Sequence, residues 1–278
     1  MRAKEWNIRH GWCFVHSHMI ERFFADYYDY LIIERGVRLA DMIVLRRNRI
    51  SPREVGCRVM IPKKGACMPS NVVRLRTMER ADVDALTDLL RRVWYAEGDP
   101  GTQSVVARAD LEFCMARATA AVVVECDGRP AGVCLARIDG GDTRPLPINR
   151  HHIMACRSML RLLRSTEGRQ SASELVKLGV EGVMLSAEAR RRGWAYQAEV
   201  ILLILDPSLQ GTGIGARMLD HMEREFRAAD VRRYFLYTNT DCNVGFYERR
   251  GLNRRITHVA HAHGRSMAYY LYDASMRQ

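Results

Sequence analysis

The chain has 278 residues, with 47% hydrophobic and 27% charged, which is the balance of a globular protein with one large core or two modest ones. No run of about eighteen uncharged apolar residues occurs, and the basic start MRAKEWNIRHGWCF leads into no continuous apolar stretch. Neither a membrane span nor a signal peptide is therefore expected, and the expected location is cytoplasmic. The formal charge of +11 is uneven: residues 1–67 hold 13 of the 43 basic and 7 of the 32 acidic residues. A nucleic-acid surface would place that charge on the folded body, so nucleic acid is not an expected partner. Eight cysteines stand singly with no CxxC pair, so neither a zinc ribbon nor a disulfide framework is indicated.

Residues 1–67 differ in character from the rest of the chain, carrying three of the four lysines and no strand-turn-helix order. They read as an N-terminal extension, or as translated leader ahead of a natural start at Met68. From 68 to 278 the pattern is regular. Val72 to Met78 alternates like a strand, and Asp82 is placed to cap a helix whose apolar face is Val83, Leu86, Leu89, Leu90 and Val93. After the loop YAEGDPGTQ a second helix is expected from about Ser104 to Ala118. Ala120 to Glu125 and Ala131 to Ile138 flank DGRP, a hairpin by turn chemistry.

Residues 139–196 interrupt this order and read as a helical insertion. One helix runs from about Asn149 to Arg164. Another starts at Ser171, where Ser171 and Glu174 have capping-box spacing, with Gly179 and Gly182 as breaks. Glu199 to Leu205 is a nearly all-apolar strand, and DPSLQGTGIG then opens a helix with Ile214, Met218, Met222 and Phe226 on one side. Arg233 to Thr238 is a strand, NVGFYERRGL a short helix, and Arg254 to His258 and Ala268 to Tyr272 are the closing strands.

Glycines following a buried strand and opening a helix suit a pyrophosphate, because backbone N–H groups and the positive helix end converge where no Cβ intrudes. Gln210, Gly211, Thr212, Gly213, Ile214 and Gly215 have that setting. The letters GTGIGA also match a dinucleotide fingerprint, but that motif follows its strand at once, whereas Asp206 to Gln210 intervene here. A Walker A loop needs GKS or GKT, which is absent. A turn that binds nothing remains the bland alternative.

The wider pattern separates these readings. ILLILDPSLQGTGIGARML resembles the acetyl-CoA motif of the GNAT superfamily of N-acetyltransferases, with core signature Q/R-x-x-G-x-G/A. About thirty residues on, NVGFYERRGL resembles that family's second motif, with Leu252 where phenylalanine is common. The resemblance covers about Asn71 to Asp273 without the insertion. It implies an α/β acyl-CoA N-acyltransferase fold: a central mixed β-sheet flanked by helices, splayed between the fourth and fifth strands, here with a helical insertion between the third and fourth.

It also implies acetyl-CoA as co-substrate. No metal and no membrane partner are expected, a homodimer is allowed, and because no basic groove or peptide-docking repeat is evident the expected acceptor is a small-molecule amine. By the same resemblance the backbone around Leu203 and Leu205 pairs with the pantetheine arm, and Gln210 to Gly215 hold the pyrophosphate. Asn243 contacts the arm, and Tyr247 lies near the thioester sulfur as general acid. Glu199, eleven residues before Gln210, has the spacing of the glutamate base in the histone-acetylating branch; the alternative is an exposed glutamate at a strand start, with water as the base. Trp94, Tyr95, Glu97 and Asp99 lie in the loop that borders the acceptor in this superfamily. His258, His261 and His263 read as a solvated or substrate-facing loop rather than a metal site. An acyl-CoA-binding regulatory module without turnover and a dinucleotide-dependent oxidoreductase stay open.

Overall fold

A computed structural model describes residues 73–139, 148–262 and 265–276, with side chains at 261, 262, 265 and 266 left out. The extension 1–67, the boundary at Met68, the loop 140–147 and His263 lie outside the described residues.

In chain order the elements are β1 (Val73–Thr77), α1 (Asp82–Trp94), α2 (Pro100–Arg117), β2 (Ala120–Cys126) and β3 (Arg129–Ile138). Then come α3 (Arg150–Leu162), α4 (Thr166–Arg191), β4 (Ala198–Leu205), a 3-10 turn (Pro207–Leu209) and α5 (Ile214–Ala228). The chain continues through β5 (Arg233–Asn239), α6 (Val244–Arg249), β6 (Asn253–Ala262) and β7 (Arg265–Ser275). One seven-stranded sheet runs in the order β1-β2-β3-β4-β5-β7-β6. All pairings are antiparallel except β4 with β5, which is parallel. The expected mixed sheet and element order are present, and α3 and α4 lie between β3 and β4.

The local starts and stops have identifiable causes. The β2–β3 turn places Asp127 at φ 50° and Gly128 at φ 78°, the double positive φ of a tight hairpin. Helix α2 begins four residues earlier than expected, because Pro100 sits in its first turn and the Asp99 carboxylate accepts from Thr102 N–H. Asp82 departs from its expected role: its carboxylate accepts from Glu79 N–H upstream and pairs with Arg76, and the helix has no side-chain cap. Helix α4 is one unbroken helix capped by Ser165, so Ser171 is not its cap and neither Gly179 nor Gly182 breaks it.

The sheet is covered on both faces. Against one face α5 packs Ile214, Met218, Leu219, Met222 and Phe226 onto Val122, Cys134, Val200, Tyr234 and Tyr272. On the other, Val83, Leu86, Leu90, Ala107 and Leu111 of α1 and α2 cover Val123, Val133, Leu135, Leu202 and Ile204. Leu185 and Ala189 of α4 cover Phe235, Ile256, Tyr269 and Leu271 on that same face.

The feature that positions the site is a bulge. Leu135 faces Leu202 but Ala136 faces Val200, so Ile201 is the extra residue of β4. A bulge bends its strand and shifts the side-chain alternation. Ala198 and Val200 face α5 before it, Leu203 and Leu205 after it. Val200↔Leu236 is also the last β4–β5 pair, so the two strands part where the bulge lies. Among the described residues no helix is long and apolar enough to cross a membrane.

Candidate active site

The parting of β4 and β5 leaves one edge of β4 unpaired from Ile201 to Leu205, held on its other edge by β3. Gly132 permits that hold, since a Cβ there would stand 2.8 Å from the Ile204 carbonyl oxygen. At the end of β4, Gln210 to Gly213 form an exposed turn into α5. Gly211 and Gly213 have φ of 77° and 84°, which glycine adopts without strain. A Cβ at either would meet no protein atom within 4 Å, so both face open space.

The backbone N–H groups of Gly211, Thr212, Gly213, Ile214, Gly215 and Ala216 find no acceptor among the described residues. Helix α5 has no side-chain cap, and the Thr212 hydroxyl does not serve these groups, donating instead to Leu209 carbonyl at 2.6 Å. Unsatisfied donors at the positive end of a 15-residue helix are the kind of group that suits an anion.

Helix α6 joins that turn. A Cβ on Gly215 would lie 3.8 Å from the Phe246 ring, and Arg250 Nη2 donates to Asp220 of α5 at 2.6 Å. Leu203, Leu205, Ile214, Phe246 and Tyr247 therefore share one apolar cluster on the α5 face. Tyr247 is half-buried, with ring contacts to Phe246 at 5.2 Å and Tyr272 at 5.9 Å. Burial, then the neighbouring Cys242 and Cys134, push its phenol well above the usual tyrosine range. It stays protonated, with no hydrogen-bond partner among the described residues. Thr238 Oγ1, on β5 just past the parting, is also buried without a partner. Asn243 precedes α6, exposed, and makes no side-chain cap.

Glu199 is not brought to this cluster. It lies on the opposite face of β4, 2% exposed, where both carboxylate oxygens accept from Arg117 Nη2 at 2.6 Å. Arg137 Nη1 adds a contact at 3.2 Å. The carboxylate is thus buried between two guanidinium groups rather than exposed at a strand start. These arginines carry no local sequence signal, since Arg117 lies 82 residues from Glu199.

The α1–α2 loop has a structural role as well. Tyr95 donates to Asp110 at 2.8 Å, and Asp99 N–H donates to Glu167 at the start of α4. Burial and then Asp110 push the Tyr95 phenol up, while burial pushes the Asp110 carboxyl up. His151 sits against the buried Glu112 at 2.6 Å, and His258 against the buried Glu181 at 2.7 Å. Neither pair was legible in the sequence, because each joins elements distant along the chain. No group of three or more possible metal ligands occurs among the described residues.

The sequence model of the Acetyltransferase (GNAT) family matches residues 83–252, which span both glycine-loop and α6 motifs. The chain belongs to that family. The family is one of acetyltransferases. The chain is similar in structure to the ribosomal-protein-S18-alanine N-acetyltransferase of Escherichia coli, at 11% identity and a TM-score of 0.44. That alignment covers 74% of this chain and 96% of the other. It is also similar to a mosquito arylalkylamine N-acetyltransferase-like protein, at 16% identity and a TM-score of 0.46, covering 73% and 100%. No curated protein matches the chain by sequence.

Proposed function

We propose that this GNAT acetyltransferase moves an acetyl group from acetyl-CoA to the amine of a small molecule. The observation that carries the cofactor assignment is the row of unpartnered N–H groups from Gly211 to Ala216 beside the open edge of β4. These donors suit a pyrophosphate, and the β4 edge at Leu203 and Leu205 suits an extended amide chain, which Asn243 borders from α6. Acetyl-CoA supplies a thioester: the amine nitrogen attacks its carbonyl carbon, the C–S bond breaks, the nitrogen loses a proton and the thiolate gains one.

Tyr247 holds the proton for the thiolate. Its phenol is kept protonated by burial, has no competing protein partner, and stands beside the cluster that contains the β4 edge. Glu199 is assigned to anchoring β4 to α2 and β3, because each of its oxygens already accepts from a guanidinium. The amine proton then leaves through water.

The test is thiol release from acetyl-CoA across a panel of amines, with Tyr247→Phe alongside. The variant keeps the aromatic packing and removes the donor, so kcat should fall at least about tenfold with acetyl-CoA affinity nearly unchanged. Wild-type kcat in the variant, in an assay limited by chemistry, removes Tyr247 from the mechanism. Acetyl-CoA binding without thiol release for any amine would favour a regulatory module.

A further inference from the structure

Helix α4 crosses the sheet. Its Ala172 packs with Val106 and Ala109 of α2, while its Leu185 and Ala189 pack on Phe235, Ile256, Tyr269 and Leu271. The turn between lies over the C-terminal part of β5: a Cβ on Gly182 would stand 3.7 Å from the Tyr237 ring, and the Ser186 and Tyr237 hydroxyls are hydrogen-bonded.

Glu181 belongs to that turn and is 1% exposed. Its Oε2 lies 2.7 Å from His258 Nδ1, and its Oε1 is buried with no hydrogen-bond partner. The His258 side chain remains 29% exposed. A proton on Nδ1, donated to Glu181, leaves the Nε2 lone pair free as an acceptor. In that tautomer of the neutral imidazole, the ring and the carboxylate together present an acceptor and no free N–H. The neighbourhood is acidic too: the Tyr269 phenol is pushed up to about 12, first by burial and then by Glu181 and Asp241.

The pair has a definite place relative to the gap. His258 faces Tyr269 across β6–β7, and Tyr269 faces Asn239 across β7–β5, so the three project from one face in one row. That row lies beyond Leu236, the last β5 residue paired with β4. With strands about 4.8 Å apart, His258 stands about 10 Å across the sheet from β5, which is the near wall of the β4–β5 gap. It is too far to touch a nitrogen at the thioester, and well placed for a second group on the same acceptor. An acceptor lone pair backed by a buried carboxylate oxygen that lacks a partner suits an ammonium, not an anion.

We propose that Glu181 and His258 form a cation site for the distal ammonium of a diamine acceptor, whose other nitrogen reacts at the β4–β5 gap. This rests on the amine-acetylation reading above. A tie between α4 and β6 uses Glu181 Oε2 and leaves Oε1 open.

The experiment compares 1,5-diaminopentane with 1-aminopentane as acceptors, in the wild type, Glu181→Gln and His258→Gln. Wild-type kcat/KM should favour the diamine by at least about tenfold, and each variant should bring that ratio close to one through the diamine's KM. Equal kcat/KM in the wild type overturns the proposal, whether or not the variants fold. So does a ratio unchanged in variants that lose both activities alike, the signature of a structural tie. Calorimetric titration of 1,5-diaminopentane into the CoA-loaded protein separates the two readings. Diamine binding that weakens at least about tenfold in Glu181→Gln supports the cation site even if no amine releases thiol, in which case acetylation alone fails. Absence of diamine binding overturns the cation site even if monoamines turn over.

Discussion

On the α5 side of the sheet, the backbone donors from Gly211 to Ala216 stand open without a protein acceptor. On the opposite side the buried carboxylates are held: Glu199 by Arg117 and Arg137, Asp110 by Tyr95, Glu112 by Arg108 and His151. The two sides solve different problems. An unpaired backbone N–H costs little while it faces water, so the α5 side can keep a ligand site permanently ready. A carboxylate buried under α2 and α4 has no such option and must be paired or hydrogen-bonded within the protein. Ligand chemistry is thus read from the groups left unpaired, and among the buried carboxylate oxygens described on the α2–α4 side Glu181 Oε1 is one without a hydrogen-bond partner.

The largest expected effect tests the open side. Gly213→Val should weaken acetyl-CoA binding by about tenfold or more, since the branched Cβ would enter the space in front of the donors and strain a φ of 84°. Strain alone is controlled by Gly193→Val. Gly193 has φ 72° and equally open surroundings, but lies after α4, away from the turn. Both variants should lose comparable thermal stability, and only the first should lose affinity in a calorimetric titration. Equal affinity in both would end the assignment of this turn.

A smaller effect tests the paired side. Glu199→Gln removes the anion between two guanidinium groups, which costs about 1–3 kcal/mol for a group left without its buried partner. At about 2–4 °C per kcal/mol for a domain of this size, Tm should fall by several degrees. The pH dependence of the rate decides the role. A base would make the defect shrink as pH rises and the amine deprotonates unaided; an anchor gives parallel curves. Parallel curves are expected, and a defect that vanishes at high pH would return Glu199 to the chemistry.

The same contrast explains what was legible in the sequence. The turn Gln210 to Gly215 and the helix around Tyr247 are contiguous motifs, and their strand and helix context follows from local periodicity. Pairs such as Arg117 with Glu199 and Glu181 with His258 are 82 and 77 residues apart, and no spacing rule links them. The bulge at Ile201 is equally silent, because every residue from Val200 to Leu205 is apolar and the phase shift leaves no mark on the pattern. Gly179 and Gly182 misled in the other direction. Each costs about 1 kcal/mol in a helix, but packing of α4 on both α2 and the sheet outweighs that cost. Asp99-Pro100 carried a readable start for α2, a capping carboxylate before a first-turn proline, which the periodicity placed too late.

Asp82 gives the smallest effect and the sharpest test of the paired side. Read as a helix cap, its carboxylate would serve the N–H groups of α1, and neither Arg76 nor Glu125 would matter to it. In the structure it is 4% exposed, receives Arg76 Nη1 and Nη2 at 2.7 Å each, and Arg76 Nε reaches on to Glu125. The hydrogen bond from Arg76 holds the Asp82 carboxyl below its ordinary range, against a smaller opposing contribution from burial. The folded state therefore binds this proton more weakly than the unfolded chain. The stabilisation is complete above the unfolded aspartate pKa of about 3.9 and disappears as pH falls through the lower folded value. Asp82→Asn should lower Tm by about 2–4 °C at pH 7, with the gap to wild type closing as the pH drops below about 4. Arg76→Gln should reproduce both the loss and its pH dependence, because the two side chains act as one unit. A cap acting alone would leave Arg76→Gln with no acid-dependent component, and that result would detach Asp82 from the network of paired charges beneath α1.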